Sequence, residues 1–207
     1  MFNYSTNKLA GLKKWAIIIC LDALLLIAIL FLLIKIYPKF HTNINIDGVY
    51  IDQPRDLADF NLLDQHGKPF TKQQLKGHWT LLYYGFTHCP MICPTTLDAL
   101  NKMYSLLEKQ IPKHLLPQIV FITIDPENDT VARLNQFINS YNTHFIAATS
   151  NTNKTTTATD FNGSKNHNTD ILVVNPQVQI QAYFLYPHRP VNMARDYQRI
   201  IGQVTKS

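Results

Sequence analysis

In Thr80-Leu81-Leu82-Tyr83-Tyr84-Gly85-Phe86-Thr87-His88-Cys89-Pro90-Met91-Ile92-Cys93-Pro94 an apolar run gives way to helical spacing, and two thiols four residues apart sit at the join. The run from Thr80 to Phe86 reads as a buried strand. Pro94 fits the first position of the following helix, where its missing N–H would have no partner, which makes Cys93 the expected N-cap. Unpaired N–H groups and the positive end of the helix dipole favour thiolate over thiol, so the pair should oxidise readily and bind a soft metal. Sites in α/β sheets lie at the carboxyl ends of strands, which is where this dithiol stands. The chain has one other cysteine, Cys20, inside an apolar segment.

Downstream, Leu97, Leu100, Met103, Tyr104 and Leu107 keep helical spacing, and Gln118 to Ile124 reads as a second buried strand. Asp125-Pro126-Glu127-Asn128-Asp129-Thr130 leads into another helix through Val131, Leu134, Phe137, Ile138 and Tyr141, with Asp125 and Asp129 read as its caps. Strands Ile171 to Asn175 and Val178 to Leu185 flank a turn at Pro176-Gln177, and a last helix runs from Val191 to Val204. Upstream, Asp59 to Leu63 and Pro69-Phe70 bracket a hairpin, and Leu75 to Trp79 turns into the first buried strand. The order βαβα then ββα describes an α/β, thioredoxin-like fold with an N-terminal β-hairpin extension. Ala147 to Thr169 breaks this rhythm with seven Thr and five Asn, and reads as a loop containing His167.

Trp15 to Ile34 is a run of 20 residues broken by a single acid, Asp22, enough helix to span a bilayer. It is too long for the core of a cleaved secretory signal, and no Ala-x-Ala-like site follows. The expected organisation is a cytoplasmic tail over 1–14, a single transmembrane anchor over 15–36, a linker over 37–57 and the thioredoxin-like domain over 58–207. Lys8, Lys13 and Lys14 precede the span, so the positive-inside rule puts the N-terminus in the cytoplasm and the body on the periplasmic or extracytoplasmic side of the inner membrane. Disulfides persist there, so a reactive dithiol must be kept reduced or metal-loaded. The formal charge of +5 is concentrated at the front, and the body from residue 40 on is nearly neutral. With no basic run and no aromatic stacking motif in that body, nucleic acid is not an expected partner.

Four motifs resemble the Sco/SenC family of membrane-tethered, thioredoxin-fold copper chaperones over roughly residues 58 to 204, a domain-sized match. They are Leu75-Lys76-Gly77, Thr87-His88-Cys89-Pro90-Met91-Ile92-Cys93-Pro94, Asp125-Pro126-Glu127-Asn128-Asp129-Thr130, and His167 leading a strand that closes at Asn175-Pro176. The resemblance implies Cu(I) or Cu(II) held by Cys89, Cys93 and His167. It also implies delivery of that copper to the binuclear copper centre of a cytochrome c oxidase subunit, with an upstream copper donor or thiol reductant as a second partner. Met91 stands where the family carries an acid, and Asn166 where it carries an Asp before the histidine.

Two thiolates and an imidazole suit copper and leave a side open for transfer. Zinc would normally close with four ligands, and a plain disulfide closing so short a loop would stabilise little. His88 and His188 are the alternatives to His167, and Met91 is a candidate thioether donor or simply an exposed turn residue. The rival class is a thiol:disulfide oxidoreductase with Cys89 and Cys93 as its redox pair, and a third reading is a redox or copper sensor. Oxidoreductases of this type place a cis-proline before the strand facing the dithiol, whereas this chain has no proline between Pro126 and Pro176.

Overall fold

The computed structural model describes residues 5–36, 44–150 and 169–204. The chain divides into two units between Asn43 and Ile44. The first holds one helix, α1 (Ser5–Ile36), whose described side chains run unbroken from Ile17 to Leu33, largely apolar and all exposed. Among the described residues, no helix is long and apolar enough to cross a membrane.

Among the described residues, the second unit is built on an eight-stranded sheet. Its strands are β1 (Gly48–Asp56), β2 (Asn61–Asp64), β3 (Pro69–Thr71), β4 (Thr80–Gly85), β5 (Gln118–Thr123), β6 (Ile146–Ser150), β7 (Ile171–Val174) and β8 (Gln179–Phe184). Helix α2 (Ile92–Glu108) joins β4 to β5, α3 (Val131–Asn139) joins β5 to β6, and α4 (Pro190–Val204) closes the unit. The strand order is β1-β8-β7-β4-β5-β6-β2-β3. β4 and β5 are parallel, β7 runs antiparallel to β4, and β8 runs antiparallel to β7, which is the thioredoxin-like core the sequence predicts. The hairpin β2–β3 extends it through β6.

Period-two alternation puts each central strand in both layers of the core. Leu81, Tyr83, Ile119, Phe121, Ile171 and Val173 face α2, α3 and α4. Leu82, Val120, Ile122, Leu172 and Val174 face the opposite way, against Leu57, Phe60, Phe70, Leu75 and Val178. The sheet is therefore covered on both sides, and the end of β4 is held rigidly at the centre.

Three segments differ from the sequence reading. Within the expected linker, Gly48–Asp56 is an edge strand paired with β8. Its start is tied down by Asp196, an almost fully buried acid on α4 that accepts from the Asp47 N–H at 2.8 Å and from Arg195 Nε at 2.9 Å. Of the expected Thr/Asn-rich loop, Ala147–Ser150 belongs to β6, which runs parallel to β5 and supplies Ala147 and Ala148 to the two core faces. The remainder up to Asn168, His167 included, lies outside the described residues. Finally, α2 begins earlier than Pro94, with consequences for both thiols.

Candidate metal centre

Met91 is the N-cap of α2, so Cys93 and Pro94 both lie within the first turn. The first intrahelical bond runs from Thr95 N to Met91 O at 3.1 Å, reinforced by the Thr95 hydroxyl at 2.7 Å. Proline is tolerated throughout a first turn, because none of those N–H groups has an intrahelical acceptor. The expectation that Cys93 caps the helix is thus corrected. The orphan donors converge instead on Cys89, whose sulfur accepts from the Cys93 N–H at 3.4 Å.

This shift separates the two thiols chemically. Burial works to raise the Cys89 pKa, but the Cys93 N–H and thiol and the N–H groups of Met91 and Ile92 outweigh it and hold Cys89 below the ordinary thiol range. Cys93 faces the core and is only 3% exposed, and burial pushes it up to about 11 against the opposing Tyr83 hydroxyl and Phe86 N–H. Both cysteines are free thiols. With limiting iodoacetamide near neutral pH, mass spectrometry should find alkylation on Cys89, with Cys93 modified only as pH rises toward about 11. Equal labelling at neutral pH would contradict the asymmetry. By linkage, the proton held on Cys93 stabilises the fold below the unfolded thiol value of about 8.5, and that contribution is lost as pH rises through the folded value.

The sulfurs open onto a cavity of about 190 Å³ lined by Tyr83, Tyr84, Phe86, Ile92 and, on the far side in sequence, Thr169. Its walls are mainly aromatic and apolar, which limits competing water at the thiols. Gly85 ends β4 beneath them because a side chain would not fit: a Cβ there would lie 2.7 Å from Cys93 Sγ and 2.8 Å from a Phe121 ring carbon.

Among the described residues, no group of three His, Cys, Asp or Glu side chains is placed to hold a metal ion. Cys89 and Cys93 are brought together as the sequence predicts; His167, the expected third ligand, lies outside the described residues, two positions before Thr169. The alternative histidines are engaged elsewhere. His88 meets the Phe86 ring at a tilt, with centroids 4.6 Å apart, and approaches Asp125 at 3.5 Å, while His188 Nε2 lies 2.7 Å from the Thr169 carbonyl oxygen. Met91 is 69% exposed beside the cysteines.

The sequence reading missed the role of Asp129. It is fully buried and accepts from the Thr87 N–H at 3.0 Å, the Thr87 hydroxyl at 2.5 Å and the Thr123 hydroxyl at 2.5 Å. The α3 cap is Thr130, which accepts from the Arg133 N–H, and Asp125 accepts from Asn128 instead of capping. Asp129 thereby locks the loop that carries Cys89 to the end of β5. The Asp-x-x-x-Asp-Thr pattern just ahead of α3 invites a capping assignment, and only the 42-residue contact with Thr87 reveals the other use.

The SCO1/SenC family model matches residues 50–202 of this chain. A SCO2-like protein of Rickettsia conorii is 35% identical over 144 residues, spanning 70% of this chain and 69% of that one. The copper-bound structure of Arabidopsis thaliana ScoI is similar with a TM-score of 0.64 and 25% identity, covering 71% of this chain and 98% of the other. Copper-bound ScoI of Bradyrhizobium japonicum gives 0.61 and 25%, covering 70% of this chain and 99% of the other.

Proposed function

The chain belongs to the SCO1/SenC family, and on that premise we propose that it is a membrane-anchored copper chaperone. It holds one copper ion through Cys89, Cys93 and His167 and passes it to the copper-bearing subunit of a cytochrome c oxidase during assembly. The observation that carries this reading is the shared cavity: both sulfurs open onto it beside Thr169, and His167 is two residues away along the chain. Two residues span at most about 7 Å, so a histidine at that spacing has the reach to join the sulfurs.

The donors suit the cargo, a soft set of two thiolates and one imidazole that leaves a side open for handover. A structural zinc site would need a fourth ligand, and the body holds only these two cysteines. Cys89, whose thiolate is already favoured, engages the ion first. Cys93 then releases its proton as its own sulfur bond forms, which removes the cost of burying a free thiolate, and His167 completes the set. Release reverses these steps, with an acceptor ligand replacing one protein ligand at a time and no change in oxidation state. The copper-bound relatives from Arabidopsis and Bradyrhizobium support the choice of metal.

We read residues 15–36 as the single transmembrane anchor of an inner-membrane protein whose body is extracytoplasmic. Supporting this are the 20-residue run with one acid and the exposure of the described apolar side chains of α1, which favours lipid over water.

The thiol asymmetry favours one second reading, a thiol:disulfide oxidoreductase. The Cys89 thiolate would attack a target disulfide, giving a mixed disulfide and one target thiolate. Cys93 would then displace the second target sulfur, leaving a Cys89–Cys93 disulfide and a reduced target, to be reset by an upstream thiol reductant. His167→Ala separates the readings, because a carrier loses a ligand while a reductase keeps both sulfurs. Copper affinity and disulfide-reduction rate should be measured on the full-length protein. A chaperone should lose more copper affinity than the roughly 10- to 100-fold typical of removing a group that only orients a ligand, with thiol turnover intact. Unchanged copper binding with slowed reduction would favour the enzyme.

A further inference from the structure

His188 sits between β8 and α4, two residues before the helix begins, and reaches back 19 residues to the chain just ahead of β7. Its Nε2 lies 2.7 Å from the Thr169 carbonyl oxygen. A carbonyl only accepts, so Nε2 carries the proton and donates it. Nδ1 is buried and has no hydrogen-bond partner among the described residues. Burial holds the imidazole below its ordinary pKa, against the opposing pull of the Thr169 carbonyl and Asp170, so the ring is a neutral, single-donor group. The ring also meets the Tyr186 ring edge-on at 5.8 Å, which fixes its plane.

The acceptor gives this bond its functional weight. Thr169 precedes β7, so its carbonyl is outside the strand ladder, and Thr169 also lines the cavity into which Cys89 and Cys93 open. No three-ligand cluster with the cysteines includes His188 among the described residues. We propose that His188 is a positioning residue for copper: by holding the Thr169 carbonyl it fixes the cavity-wall residue that stands two positions after His167 in the chain, and so strengthens a site whose metal it never contacts. This rests on the reading of His167 as the third ligand. Groups that orient ligands from outside the coordination sphere typically contribute 10- to 100-fold in affinity, and the lower end is expected for a bond acting through two residues of chain.

The test is competitive Cu(I) titration of the full-length protein against a chromophoric chelator, with Cys89 alkylation rate measured alongside. Glutamine can place its amide N–H where Nε2 stands, whereas asparagine is too short to do so. His188→Asn should lower copper affinity by about tenfold while leaving Cys89 alkylation unchanged, and His188→Gln should retain most of it. In a His167→Ala background, His188→Asn should have no further effect, since the two act as one unit. Equal affinities for the Gln and Asn variants would overturn the proposal, as would additive losses in the double variant. If His167→Ala weakens copper and His188→Asn does not, the positioning role fails while the ligand assignment stands. If His167→Ala has wild-type affinity, the ligand assignment itself fails.

Discussion

Asp129→Ala should destabilise the protein by about 3 kcal/mol, because it strands three donors at once, one of them fully buried and two part-buried. The Thr87 N–H, Thr87 hydroxyl and Thr123 hydroxyl all point at this one carboxyl group. A single orphaned buried donor costs on the order of 1–3 kcal/mol, and the two hydroxyls can rotate to recover part of the loss. Thr130→Ala provides the comparison. It removes the true N-cap of α3, which accepts from the Arg133 N–H at 3.3 Å, at a typical cost of about 1 kcal/mol. If Asp129 were only a cap, the two variants would match in urea denaturation, and a loss for Asp129→Ala within about 0.5 kcal/mol would refute the buried role outright. The loop from Phe86 to Met91 should also exchange its amide hydrogens faster in Asp129→Ala and not in Thr130→Ala, because only the first releases the Thr87 N–H.

That contrast marks where the sequence stopped being legible. Apolar runs such as Leu81 to Tyr84 and Ile119 to Ile122 announce buried central strands, since both faces must be greasy, and the structure places them as expected. Edge elements carry no such signature. In β1 only Val49, Tyr50 and Ile51 are apolar before Asp52-Gln53-Pro54-Arg55-Asp56, and the register shift between Tyr50 and Arg55 accommodates the proline. β6 is Ile-Ala-Ala-Thr-Ser, poor in the bulky side chains that betray a strand, because its small residues fill tight positions on both core faces. The cysteines were legible from spacing, but their difference was not. It depends on Met91, with no side-chain capping bond, occupying the N-cap, and that turns the free N–H groups toward Cys89.

The same shift gives each sulfur its part. Cys89 is half-buried at the cavity mouth with a favoured thiolate, while Cys93 is packed against β4 with its proton held by burial. A carrier benefits from one sulfur that captures and one that yields its proton only when the ion arrives. A reductase uses the same difference between nucleophile and resolving thiol. The asymmetry therefore supports dithiol function of either kind, and the discrimination falls to His167 and the residues that set its approach.

Gly85→Ala should damage the site more than its single added methyl suggests. Gly85 has no need of left-handed backbone freedom; its requirement is space, with Cys93 Sγ and the Phe121 ring already filling the volume a Cβ would take. Phe121 is fully buried in the central strand and packs on Tyr83 and Phe137, so it has nowhere to retreat. Cys93, in the first turn of α2, is the softer neighbour and should be pushed off its position. Overpacking of this kind typically costs about 1–3 kcal/mol in stability. If the displaced sulfur transmits about 1.4 kcal/mol of that strain to the loaded site, Cu(I) affinity falls by about tenfold. Cys89, whose sulfur is held by the backbone of the helix start, should keep its alkylation rate. Affinity and thermal stability at wild-type values would show that the site relaxes freely around an added methyl, and the close packing of Cys93 against β4 would then have no part in how copper is held.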